Sequence, residues 1–315
     1  MKRSLTAMIL ISAAASASAE VLLEWPVDCK LGDTCYIQNY VDTDPGPGWQ
    51  DFMCGALSYD GHKGTDIALP LRNSIEDRVS VRAAAPGIVT GVRDGMADDV
   101  YRGGDLEGRD CGNGVVVTHA DGWVTQYCHL RKGSVTVAQG ASVAAGDPLG
   151  DIGLSGRTEF AHLHLSIRKD DEVVDPFRPD GAQTCGPSDQ TLWAGDVQYK
   201  AGGLLDIGFS RSVPEYDDVK SGLAAQQIAR DAPLVLFGFG FGAQIGDVMR
   251  LSITGPRGLV FETEAELDRN RAQFFRAGGK RAPAEGWPPG TYTGDITLVR
   301  QGTPIDTRTI TAALR

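Results

Sequence analysis

The stretch Ala161-His162-Leu163-His164-Leu165-Ser166-Ile167 alternates apolar and polar side chains with a period of two. This alternation predicts a β-strand that buries Leu163, Leu165 and Ile167 and carries both imidazoles on its opposite face. Two imidazoles on one strand face either make ordinary hydrogen bonds or bind a metal ion. The chain has only five histidines, and two of them lie here. The stretch therefore predicts a β-sheet protein with candidate metal ligands on one sheet face.

A second candidate group lies upstream, in Gly61-His62-Lys63-Gly64-Thr65-Asp66-Ile67. His62 and Asp66 are four residues apart, so they would share one face of a strand. Gly64 between them and Pro70 after them favour a strand or loop over a helix. Taken alone, the two side chains would equally suit a surface ion pair. With one histidine of the later strand they give three ligands, which leaves the fourth position on zinc open, as in catalytic sites.

Short alternating runs separated by glycine turns surround both motifs and predict a compact antiparallel β domain at residues 61–185. A long acidic loop from Asp94 to Asp110 interrupts them, either as solvated surface or as a wall of a substrate groove. A linker at residues 186–200 leads to a second all-β unit at residues 201–315. Its evenly spaced strands favour an immunoglobulin-like sandwich, with one helix expected from Asp217 to Arg230.

The chain begins with the pattern of a secretory signal peptide at residues 1–19: a basic start, an apolar run from Leu5 to Ala15, and Ala17-Ser18-Ala19. The apolar run is too short to span a bilayer, and no later segment is apolar enough to do so. We therefore expect an exported chain, in a compartment where disulfides persist. Residues 20–60 follow as an arm with many polar, Pro and Gly residues, predicted to be irregular.

Six cysteines agree with an oxidising compartment, and they allow fifteen pairings. The hairpin predicted between Val115 and Tyr127 favours a bond from Cys111 to Cys128. The remaining four would then pair as Cys29–Cys35 and Cys54–Cys185. A cysteine-ligated zinc is the competing interpretation, and the absence of Cys-x-x-Cys spacing disfavours it.

The formal charge of −11 limits which classes of partner the chain can bind. Removal of a signal peptide that contains Lys2 and Arg3 would bring the charge from −11 to −13. An acidic chain of this kind argues against nucleic acid and against anionic membrane surfaces as partners.

Four ordered motifs together resemble the lysostaphin-type (LytM-like) zinc metalloendopeptidases over roughly residues 60–178. The matching segments, with the tail that follows them, are Gly61–Ile67, Val81–Val89, Gly112–Val117 with Tyr127–Leu130, Gly153–Gly156 with His162–His164, and Val174–Pro176. The chain departs from the family at Ala161, Leu165 and Ser166, where Pro, Phe and Glu are frequent. None of these three is a ligand position.

The resemblance implies that His62, Asp66 and His164 bind Zn²⁺ and that His129 and His162 form a catalytic pair near the metal. It implies an endopeptidase whose substrates are the peptide stems of bacterial peptidoglycan. The signal peptide and the cysteines favour the periplasm and direct D-amino-acid cross-links, although Gly-Gly bridges also fall within the family's range. His119, the fifth histidine, is expected to be structural.

Three other functions compete with this one. A non-catalytic or latent family member would bind the wall or regulate another hydrolase, but it has no need for all five implied site residues. A cupin-type metal site would place a Glu soon after the His pair, whereas the first acid there is Asp170. In the third alternative, the second all-β unit is the functional part and acts as a binding module. Its residues do not identify a partner.

Overall fold

The structure is a computed structural model that describes residues 21–181 and 184–315. The expected signal peptide at residues 1–19 lies outside the described residues. Within them, strands greatly outnumber helices and their ladders are antiparallel, so the predicted all-β class is confirmed. No helix in these two ranges is long and apolar enough to cross a membrane.

The first region is built on one large sheet and a separate two-stranded one. Its strands are β1 (Tyr36–Asn39), β2 (Thr65–Ala68), β3 (Ser80–Arg82), β4 (Gly87–Arg93), β5 (Asn113–Thr118), β6 (Trp123–Leu130), β7 (Ser142–Val143), β8 (Pro148–Asp151), β9 (His162–Lys169) and β10 (Glu172–Val173). The large sheet has the order β1-β2-β9-β6-β5-β4-β7, with β10 on β9, and β3 pairs with β8. Two 3-10 segments, Arg72–Asp77 and Ala120–Gly122, join strands.

The N-terminal arm corrects one expectation. Predicted to be irregular, it contributes β1 to the edge of the large sheet, where Asn39 pairs with Asp66. The three favoured disulfides are all present: Cys29–Cys35, Cys54–Cys185 and Cys111–Cys128. The second of them ties the arm to the segment that follows the sheet.

The second region contains two further antiparallel sheets. Their strands are β11 (Gly203–Ser210), β12 (Leu234–Ala243), β13 (Val248–Gly255), β14 (Gly258–Glu266), β15 (Arg271–Lys280), β16 (Gly290–Arg300) and β17 (Thr303–Leu314). One sheet has the order β11-β12-β15 and the other β14-β13-β16-β17. The expected helix is shorter, α1 (Tyr216–Ser221), because Gly222 adopts a left-handed φ of 82° and closes its end. An immunoglobulin-like topology remains a prediction.

Strand β12 joins the two regions, because both of its faces are buried. Phe237, Phe239 and Phe241 belong to the core that the first region builds around the large sheet. Leu234 and Leu236 belong to the core between the two sheets of the second region. Alternation along one strand therefore fixes the second region against the first, instead of leaving it as a tethered module.

Candidate metal centre and active site

The antiparallel register of β2 and β9 brings the two sequence motifs together. Asp66 lies opposite His164, and Ala68 lies opposite His162. His62 precedes β2 and reaches the same point from a loop. One donor atom from each of His62, Asp66 and His164 lies within 4.8 Å of the others. The three residues predicted as metal ligands thus form one cluster at the surface of the large sheet.

Hydrogen bonds orient these side chains. His62 Nδ1 lies 2.7 Å from the Tyr40 carbonyl oxygen, which can only accept, so Nδ1 carries the proton and Nε2 offers a lone pair. Asn39 Nδ2 donates to Asp66 Oδ2 at 2.8 Å, which leaves Oδ1 to face the imidazoles of the cluster. Gly64 makes room, because a Cβ there would lie 2.7 Å from the His164 ring. The ligand atoms of His62 and Asp66 are therefore oriented by neighbours that do not compete for them, and Gly64 leaves space for the His164 ring.

The donor set suits a divalent metal ion. His62 Nε2 lies 3.2 Å from both Asp66 Oδ1 and His164 Nδ1, and His164 Nδ1 lies 2.8 Å from Asp66 Oδ1. Ligands about 2.0–2.1 Å from a tetrahedral zinc are roughly 3.3 Å apart, close to these separations. Burial alone would raise the pKa of Asp66, but the imidazoles of His62, His162 and His164 outweigh it and hold that pKa well below its usual value. The carboxylate is therefore ionised and ready to bind a cation.

His129 reaches the cluster through a β-bulge. Between the pairs Val115–Tyr127 and Asn113–Leu130, strand β6 contains one residue more than β5. His129 itself has a left-handed φ of 65°, a conformation that costs energy for a residue other than glycine. Strict alternation would have put its side chain on the core face with Tyr127. The bulge turns it toward the cluster, a use of bulges often found beside active sites.

His129 and His162 form a pair with matching hydrogen bonds. His129 Nδ1 donates to the Ser155 carbonyl at 2.7 Å, and His162 Nδ1 donates to the Phe160 carbonyl at 2.9 Å. In the neutral rings, each Nε2 is then a free acceptor. The ring centroids are 4.7 Å apart, and His162 Nε2 lies 3.4 Å from Asp66 Oδ1. Burial, then His162 and His164, lower the pKa of His129 well below its usual value, so its ring is neutral at pH 7.

His119 lies apart from the cluster, as expected from its place near the hairpin tip. Its Nδ1 bonds to the Pro86 carbonyl and its Nε2 to Thr125 Oγ1, each at 2.8 Å. Trp123 and Tyr127 are both buried in the core. These three side chains support the sheet and leave the groove to other residues.

Two cavities flank the cluster, with volumes of about 640 Å³ and 460 Å³. They share Tyr59, His129, Arg157 and His164, so together they form one groove that crosses the candidate metal centre. The loop predicted from Asp94 to Asp110 contributes Tyr101 to the larger end, which supports its interpretation as a groove wall.

Sequence reasoning missed Asn39 and Tyr59 at this site. Asn39 belongs to the arm, whose short strand has no alternating pattern long enough to reveal it. Tyr59 is 52% exposed, and its ring lies 4.4 Å from that of His62. Its position three residues before His62 was the one available signal.

Comparison with known proteins places these motifs in a family context. The model of Peptidase family M23 matches residues 60–176. The DD-carboxypeptidase/endopeptidase Mpg of Neisseria meningitidis is 32% identical over 117 residues, covering 36% of this chain and 22% of that protein. The cell division protein DipM of Caulobacter vibrioides is 41% identical over 68 residues, covering 22% and 11%. The peptidoglycan DD-endopeptidase ShyA of Vibrio cholerae is 30% identical over 106 residues, covering 34% and 20%.

The matched part is thus a minor part of each relative, between 11% and 22% of its length. Among solved structures, a zinc containing peptidase from Vibrio cholerae is 23% identical with a TM-score of 0.34, covering 50% of this chain and 39% of that one. Csd3 of Helicobacter pylori is 18% identical with a TM-score of 0.33, covering 55% and 37%.

Proposed function

Because residues 60–176 form a domain of Peptidase family M23, we propose that this chain is a zinc-dependent endopeptidase that hydrolyses the peptide cross-links of bacterial peptidoglycan. The observation that carries the proposal is the convergence of donor atoms from His62, Asp66 and His164 at the middle of a groove. His129 and His162 stand beside that point. The relatives Mpg, a DD-carboxypeptidase/endopeptidase, and ShyA, a peptidoglycan DD-endopeptidase, favour D-amino-acid cross-links as the substrate.

In the proposed enzyme, His62, Asp66 and His164 hold Zn²⁺. Bound zinc supplies a Lewis acid that polarises the scissile carbonyl and makes water acidic enough to react near neutral pH. Metal ligands must be free of protons to bind. The lowered pKa of Asp66 meets that requirement, and the Nδ1–H bond of His62 to Tyr40 leaves Nε2 as the nitrogen that would bind the metal.

His129 and His162 move the protons. Each ring is anchored through Nδ1–H to a backbone carbonyl and presents Nε2 for proton transfer. One Nε2 accepts the proton of the attacking water, and a protonated ring donates to the oxyanion or to the departing amine. Asp66 Oδ1 lies 3.4 Å from His162 Nε2, so the carboxylate is next to this ring. A neutral His129 is a ready acceptor, since burial lowers its pKa.

Digestion of purified peptidoglycan tests the proposal and identifies the bond. Sacculi of known cross-link type are incubated with the zinc-loaded chain, and the released fragments are identified by mass spectrometry. We expect cross-linked dimers to be lost and monomers with a new amine and a new carboxylate to appear. Chelation should stop the reaction, and added zinc should restore it. Dimers that persist under every metal condition would rule out the endopeptidase.

The alternative is a non-catalytic or latent family member that binds the wall or regulates another hydrolase. Such a protein would gain nothing from keeping the metal cluster together with the His129–His162 pair. Binding to intact sacculi without any cleavage would favour it over the enzyme. Either function requires export, and we propose the periplasm as the location because of the signal-peptide pattern at residues 1–19 and the three disulfides.

A further inference from the structure

The second region builds one wall of the groove. The larger cavity is lined by Tyr216 and Lys220 of α1 and by Arg271, Ala272 and Gln273 of β15, opposite the metal cluster. No other segment of the second region lines either of the two cavities that make up the groove. The start of β15 and the helix α1 are therefore placed to contact whatever the groove holds.

Direct bonds hold this wall in place. Gln38 Nε2 donates to the Ala272 carbonyl at 3.1 Å, and Gln273 Nε2 donates to the Tyr36 hydroxyl at 2.9 Å. The ring of Tyr216 stacks on that of Phe275, with the ring centroids 5.4 Å apart, and it also contacts the ring of Phe239 on β12. With both regions sharing one core, the wall has a fixed position relative to the candidate metal centre.

The wall carries two cations, Arg271 and Lys220. Arg271 is exposed and forms no ion pair within the described part of the chain. Lys220 lies over the Tyr216 ring at 4.8 Å, and its ion-pair partner, Asp217, is 3.9 Å away and largely exposed. Arg157, across the groove, differs because Asp110 pairs with it at 2.7 Å. A cation without an ion pair, beside a second whose partner is 3.9 Å away, is unexpected at a groove wall of a chain with a charge of −11.

We infer that Arg271 and Lys220 bind a carboxylate of the peptide substrate, so that the second region selects carboxylate-bearing peptides for cleavage. This inference rests on the proposed peptidase function and names a determinant of its specificity. A guanidinium binds a carboxylate through two parallel hydrogen bonds, and an ammonium adds a mobile point charge. Cations that line a groove also raise the local concentration of an anionic substrate.

Two synthetic peptides test the inference: a cross-linked peptide dimer with free carboxylates and the same dimer as carboxamides. Their dissociation constants are measured by calorimetry on the zinc-loaded full chain with His162→Ala, so that neither peptide is cleaved during titration. We expect the carboxylate form to bind about tenfold more tightly, and the preference to shrink as salt rises. Arg271→Gln and Lys220→Gln should each reduce this tenfold preference to about threefold.

Arg269→Gln is the matched control, because Arg269 lies two residues from Arg271, pairs with Asp268 and does not line the groove. It should keep the full preference. In the active chain, Arg271→Gln should raise KM for the carboxylate peptide with little change in kcat, the pattern of lost uniform binding. Equal binding of the two peptides by the parent chain, or an unchanged preference in both Gln variants, would overturn the inference. Because binding is measured without turnover, failure to cleave either peptide would count against the proposed function alone.

Discussion

The two regions of this molecule differ in where their chemistry is visible. All five histidines and all six cysteines lie before residue 186, and none follows it. The second region has its own core and two sheets, but its contribution to the groove is a short edge with two cations. The site in the first region can be recognised in the sequence, because its side chains are of types that bind metals or form disulfides. A wall made from common residues becomes apparent only when the fold sets it opposite that site.

The first prediction tests whether the metal belongs entirely to the first region. His164→Ala should remove most of the zinc and lower kcat/KM about a thousandfold or more, since a lost ligand removes several kcal/mol of charge stabilisation. The fold should survive, because the core and the disulfides do not depend on this partly exposed ring. Zinc content by mass spectrometry and activity on the peptide dimer measure both effects.

His119→Gln is the histidine control for this experiment, since His119 bonds only to Pro86 and Thr125. It should retain one zinc per chain. Stoichiometric zinc in the His164 variant would show that the ligand set is wrong.

The second prediction separates metal binding from proton transfer within the first region. His129→Ala and His162→Ala should each leave the zinc content near that of the parent chain. Each should reduce kcat by roughly a hundredfold or more, as the loss of a proton-transfer group or an oxyanion donor does. Binding of the uncleaved peptide should change little, because these groups act most strongly as charge develops. Full activity in both variants would eliminate the proposed mechanism.

The third prediction concerns a disulfide, a kind of bond found only in the first region. Cys111–Cys128 closes a loop with a sequence separation of 17 beside the strained His129. Replacing both cysteines by Ala should lower the free energy of unfolding by roughly 2 to 4 kcal/mol. It should also lower kcat, because the His129 amide donates to the Cys111 carbonyl at 2.8 Å.

Removing Cys29–Cys35 provides the comparison, with a separation of 6 and no contact to the catalytic pair. The shorter loop should cost less, about 2 kcal/mol, and leave kcat unchanged. Equal loss of kcat in both double variants would show that the Cys111–Cys128 disulfide has no specific role in positioning His129.

Much of the first region could be predicted because its signals are local. Period-two alternation placed His162 and His164 on one face, and motif order supplied their partners His62 and Asp66. The family resemblance is confirmed for residues 60–176, and the three disulfides are confirmed. The orientation of His129 could not come from periodicity, since one extra residue in β6 reverses the alternation there.

The features that could not be predicted from the sequence depend on contacts between distant segments, which no local pattern encodes. Strand β15 begins Arg271-Ala272-Gln273 and ends near Gly278-Gly279, so neither alternation nor β-propensity marks it. Its pairing with the buried β12 determines its structure. Asn39 reaches Asp66 because the arm joins the sheet edge, a pairing between segments separated by 27 residues. The run Gly133–Val137 alternates valines with polar residues as a strand would, yet it is turn and loop.

The smallest predicted effect contrasts two buried carboxyls of the first region. Imidazoles keep Asp66 charged, whereas burial raises the pKa of Asp175 to about 7, with the Phe177 amide only partly opposing it. Below about pH 4, Asp175 is protonated in both the folded and the unfolded chain. Between about pH 4 and 7, the unfolded chain releases this proton while the folded chain keeps it, so stability falls as pH rises and the loss is complete above about pH 7.

Asp175→Asn should remove this pH dependence, because the amide imitates the protonated acid and never ionises. The full change in pKa corresponds to at most about 4 kcal/mol, and relaxation around the buried charge should reduce it to about 1–2 kcal/mol. In thermal unfolding, the variant should match the parent chain near pH 4.5 and exceed it by a few degrees at pH 8. The exposed Asp189→Asn should follow the parent chain at both pH values. If the unfolding temperatures of Asp175→Asn and the parent chain differ by the same amount at every pH in this range, the pKa of Asp175 is not raised in the fold. The two buried carboxyls, Asp66 and Asp175, would then not have pKa values shifted in opposite directions.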